Sequence, residues 1–82
     1  MIAPEQVQSY IEQGLPCEWV NVTGDGRHFE ATIVSSAFRS KNKVQQHQLV
    51  YAALGERMRE EIHALSMQTY TPEDWAQKES GR

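Results

Sequence analysis

Trp19-Val20-Asn21-Val22-Thr23-Gly24-Asp25-Gly26-Arg27-His28-Phe29-Glu30-Ala31-Thr32-Ile33-Val34 is the stretch on which the fold turns. Residues 17–23 are rich in β-formers and partly alternate. Residues 28–35 alternate with Phe29, Ala31 and Ile33 on one face. Between them, Gly24-Asp25-Gly26 is a strong turn signal, because glycine reaches positive φ without strain. Two such strands around an Asp-Gly turn predict a β-hairpin.

Working outward, Pro4 suits the first turn of a helix, where its missing N–H costs nothing, and Glu5 favours the positive dipole end. Val7, Tyr10, Ile11 and Leu15 recur at helical spacing and Gly14 is a stop, so residues 4–14 are predicted helical. On the other side, residues 36–42 read as a polar loop broken by Phe38. Val44, His47, Val50, Tyr51, Leu54 and Met58 then fall on one helical stripe, with Gly55 splitting it into helices around 43–53 and 55–61. Ile62 to Tyr70 reads as a third strand, with Leu65, Met67 and Thr69 on one face. Thr71-Pro72-Glu73-Asp74 is a helix start, with Thr71 as N-cap and Asp74 reaching back as in a capping box. Trp75 on that last helix is expected to pack back on the sheet, and residues 78–82 to fray.

The second strand ends near Ser35 and the third starts near Ile62, so a long crossover joins them. Such a connection leaves the two strands parallel and turns right-handed. The expected architecture is a single α+β domain over residues 1–82, with a small mixed sheet and helices on one face.

The chain has 82 residues, one domain's worth, and its core must be thin. Eleven acidic against eight basic residues give a net charge of −3, without the basic excess usual for a nucleic-acid binder. A lone cysteine, Cys17, excludes an internal disulfide framework and fits a reducing compartment. The N-terminal residues do not read as a signal peptide, and no apolar stretch approaches the ~20 residues needed to cross a bilayer, so a cytoplasmic protein without membrane contact is expected. No nucleophile elbow or phosphate loop is present, and a chain this short has little room for a catalytic cleft. An enzyme is not expected.

Three stretches carry a resemblance. Thr23-Gly24-Asp25-Gly26-Arg27-His28-Phe29 resembles the loop after the first strand of BolA-family proteins. Residues 38–51, from Phe38 to Tyr51, resemble their central loop and helix. Ile62-His63-Ala64-Leu65-Ser66-Met67-Gln68-Thr69-Tyr70-Thr71-Pro72-Glu73-Asp74-Trp75 resembles their closing strand and turn, and is the most specific of the three. Together they span about residues 5–76, and the Gly-Asp-Gly and His-Phe features are similar to the bacterial, acid-stress-linked IbaG-like subgroup.

The resemblance implies a class II KH-like fold, in agreement with the element order above. It also implies a heterodimer with a monothiol glutaredoxin, with or without a bridging [2Fe–2S] cluster, in iron–sulfur trafficking, iron homeostasis or stress response. In that assembly the glutaredoxin cysteine and a glutathione hold one iron, and the BolA-like chain supplies the remaining ligands. Carried onto this sequence, the metal ligands are His63 and His28. The isolated chain is not expected to hold the cluster. His28 opens the second strand and His63 the third; if these run parallel, both lie at one edge, with neighbouring strands ~4.8 Å apart. Imidazole suits iron, raises the potential of such a cluster relative to thiolate, and makes it sensitive to mild acid.

His47, on the apolar stripe, reads as a half-buried packing residue, and Cys17 as a small core hydrophobe. One cysteine and three scattered histidines match no zinc spacing. The alternative function is a KH-like nucleic-acid-binding regulator of transcription, with Arg39, Lys41 and Lys43 as the backbone-gripping loop and DNA as partner. Arg39-Ser40-Lys41-Asn42 lacks the Gly-x-x-Gly that brings phosphates to the main chain, so a solvated basic loop or a partner-docking loop competes with that reading. A weak homodimer of the free chain is left open.

Overall fold

The computed structural model describes residues 2–80. Helix α1 (Pro4–Gly14) leads into strands β1 (Trp19–Gly24) and β2 (His28–Val34). After a 3-10 turn at Ser36–Phe38 come helices α2 (Lys43–Leu54) and α3 (Arg57–Glu60), strand β3 (Ala64–Tyr70) and helix α4 (Pro72–Ser80). The sheet order is β1-β2-β3, with β1 antiparallel and β3 parallel to β2. The mixed sheet with a parallel crossover is therefore the one expected.

The hairpin forms where β-branched and aromatic residues flank the turn. Gly26 takes φ +99°, a conformation that an L side chain resists. Alternation sends Val20, Val22, Phe29, Ala31 and Ile33 to one face, where they are buried with Val7 and Ile11 of α1 and Val50 and Leu54 of α2. Gly55 ends α2 at φ +58°, its N–H donating to the Tyr51 carbonyl (2.9 Å), and so separates α2 from α3.

Three local expectations change. Phe38 does not merely interrupt a polar loop: it is fully buried, and Ser35 starts a 3-10 turn around it by accepting the Ala37 N–H (3.1 Å). The inward face of α2 is Gln46, Val50 and Leu54, while Val44 and Tyr51 are 66% and 43% exposed. The reason is that Gln46 spends its whole amide inside: Nε2 donates to the Lys41 carbonyl (2.9 Å) and Oε1 accepts from Thr69 (2.7 Å). Finally, α4 continues through Lys78 to Ser80, so the expected fraying does not begin at 78; residues 81 and 82 lie outside the described part. Thr71 caps α4 as expected, accepting the Asp74 N–H (3.0 Å).

Trp75 of α4 returns to the sheet, stacked on Trp19 with 5.0 Å between rings and tilted against Tyr70 at 5.2 Å. Among the described residues, no helix is long and apolar enough to cross a membrane.

Candidate functional site

Parallel pairing of β2 with β3 places His28 opposite Ala64, the residue after His63. Both imidazoles therefore emerge at the same rim of the sheet. Their ring centroids are 6.2 Å apart and their planes nearly perpendicular, at 85°. Both residues are exposed, and neither imidazole makes a hydrogen bond among the described residues. The sequence-predicted ligand pair is thus brought together in space, with no strand between.

The rim is built by the hairpin turn. The Asp25 carboxylate accepts the N–H groups of Arg27 (3.0 Å) and His28 (2.9 Å), while the Asp25 N–H donates to the His28 carbonyl (3.2 Å). Those two backbone donors hold the Asp25 carboxyl below its ordinary pKa. The Arg27 carbonyl accepts the Ala64 N–H (3.0 Å), which makes the first rung between the turn and β3. In the sequence the turn is marked by its glycines, and the part played by the carboxylate emerges with the fold. An Asp two and three residues ahead of the amides it caps was the available signal.

The remaining candidates lie elsewhere. Cys17 is half-buried against the core, and its thiol donates to the Leu15 carbonyl (3.3 Å). Burial first, and then the charges of Glu12 and Glu18, push its pKa up to about 11, the opposite of a reactive thiolate. His47 borders a shallow groove with Lys43, Met67 and Tyr70, away from the rim. Among the described residues, no three His, Cys, Asp or Glu side chains gather as a metal site. What the rim offers is a two-nitrogen donor set, open to solvent.

The basic loop is largely engaged within the molecule. Arg39 forms a two-pronged ion pair with Glu73 (3.0 and 2.5 Å). Lys43 donates to the Thr69 carbonyl and lies 5.0 Å from the centre of the Tyr70 ring. Of the three predicted nucleic-acid contacts, Lys41 alone makes no ion pair or ring contact among the described residues.

Fold and rim together define the class: a small α+β protein with the class II KH-like arrangement and a histidine pair at the mouth of its parallel strands. A sequence model of the BolA-like protein family matches residues 7–74, and the chain belongs to that family. It is 38% identical over 72 residues to the acid stress protein IbaG of Escherichia coli (strain K12), covering 87% of this chain and 86% of that one. It is 45% identical over 58 residues to the DNA-binding transcriptional regulator BolA of Haemophilus influenzae, covering 70% of this chain and 56% of the relative. Among solved structures, a bolA protein homologue from Coxiella burnetii superposes with a TM-score of 0.83 at 39% identity, over 93% of this chain and 99% of the other.

Proposed function

We propose that this protein is an adaptor that pairs with a monothiol glutaredoxin and, through His28 and His63, completes the coordination of a shared [2Fe–2S] cluster. The observation that carries the reading is the pair itself: two exposed imidazoles 6.2 Å apart, both without hydrogen-bond partners among the described residues. That separation suits two histidines converging on one iron, with each metal–nitrogen bond about 2 Å long. Bound there, the cluster would supply redox and iron-transfer chemistry. The protein's own contribution is to present two imidazoles at the mouth of its parallel strands and leave the other ligands to a partner. Two donors hold a metal weakly, which supports a companion that brings the remaining ligands, the role expected of the glutaredoxin thiol.

The test mixes the protein with a monothiol glutaredoxin, glutathione, iron and sulfide, and records visible absorption and circular dichroism of the complex. His63→Ala is expected to convert the spectrum to that of the glutaredoxin alone with its cluster. An unchanged heterocomplex spectrum would remove His63 from the coordination.

A second reading, nucleic-acid binding, is favoured by the DNA-binding relative from Haemophilus influenzae. Against it stand the acidic balance of the chain and the internal engagement of Arg39 and Lys43. It requires salt-dependent DNA binding that weakens when Arg39, Lys41 and Lys43 are changed to alanine.

A further inference from the structure

We infer that Asp25 is the positioning residue of the histidine pair: its carboxylate builds the turn that presents His28 and, through that turn, fixes the strand mouth from which His63 projects. The inference rests on the reading of the pair as the metal-binding element.

Among the described residues, neither imidazole is held by a hydrogen bond of its own, so the placement of each ring depends on the backbone beneath it. That backbone is tied from one point. Asp25 receives two N–H groups and donates one, so three hydrogen bonds span the turn from Asp25 to His28. Gly24 fits closely beneath it, where a side chain would collide with the His28 carbonyl and the Phe29 ring. The Arg27 carbonyl, oriented by the same turn, receives the N–H of Ala64, next to His63. A continuous bonded path thus runs from one carboxylate to both ligand-bearing segments. The turn is exposed, so loss of the carboxylate rehydrates two N–H groups and frees the turn without opening the core. Outer-shell groups that hold ligands in place typically change metal affinity by ~10–100-fold.

The experiment compares the full-length wild type with Asp25→Ala, Asp25→Asn and Asp25→Glu by NMR, without glutaredoxin or cluster. It reads the cross-relaxation between the His28 and His63 ring protons, and the imidazole shifts during titration with Zn(II) as probe. Asn keeps an acceptor in the same place and is expected to match the wild type. Ala removes the acceptor and Glu displaces it by one methylene; both are expected to lose the ring–ring signal and to weaken Zn(II) binding about tenfold. If Asp25→Ala and Asp25→Glu keep both the ring–ring signal and the Zn(II) titration of the wild type, Asp25 does not position the pair. Should Asp25→Ala unfold, Asp25→Glu against Asp25→Asn still decides the point. These readouts are independent of the cluster: an unchanged heterocomplex spectrum in His63→Ala would remove His63 from the cluster's coordination and leave this result standing.

Discussion

Cys17 and His28 are both metal-competent residue types, and the fold gives them opposite surroundings. The Cys17 thiol sits against the core beside Glu12 and Glu18, with its pKa raised from 9.0 to about 11. It is therefore neutral near pH 8, and alkylation by iodoacetamide at that pH is expected to run roughly a hundredfold slower in the folded protein than in the denatured chain. Equal rates in the two states would show that the thiol is not shielded as described. His28 stands in the open on a capped turn, where its ring is free to accept a metal. The sequence was a fair guide at this scale, because a β-rich run followed by a turn already favours burial for the first residue type and exposure for the second. What it hid was Asp25, whose importance comes from the two amides it meets and not from its spacing to another ionisable group.

At the level of elements, α2 shows where periodicity stops informing. An apolar stripe from Val44 to Met58 locates the helix and its break at Gly55, and Val50 and Leu54 are indeed inside. The same stripe turns Val44 and Tyr51 inward, whereas the helix is rotated so that Gln46 faces the sheet. A polar residue is inside here because the fold supplies partners for its amide, a tertiary fact that no local pattern contains. Gln46 joins the Phe38 and Lys41 carbonyls of the loop to the Thr69 hydroxyl of β3. Gln46→Ala strands these groups and is expected to cost about 1–3 kcal/mol, measured by urea unfolding followed by far-UV circular dichroism. A loss below a few tenths of a kcal/mol would mean that water replaces the amide without penalty. The basic loop has a similar history. Its charges are plain in the sequence, but their pairing with Glu73 and Tyr70 depends on α4 and β3 folding back beside them.

For the molecule as a whole, the order of elements gave a mixed sheet with a parallel third strand but left open whether that strand lies directly beside the second. A hairpin followed by a helical crossover favours a third strand parallel to the second, and the handedness of parallel crossovers leaves few arrangements. Direct pairing of β3 with β2 then follows in the structure and places His28 against the His63–Ala64 step. The histidine pair is in this sense a property of the fold: neither imidazole would suggest a metal from its neighbours in the chain. Under the proposed reading, the pair needs further ligands from outside the chain. Among the described residues, no third His, Cys, Asp or Glu side chain joins the pair as a metal-holding group.

Pulsed EPR on the reduced heterocomplex, prepared with the chain labelled with 15N-histidine and the glutaredoxin unlabelled, tests the central claim most directly. Two distinct 15N couplings to the cluster are expected, one vanishing in His28→Ala and the other in His63→Ala. A cluster without 15N coupling, or with couplings that survive both substitutions, would contradict coordination at this rim.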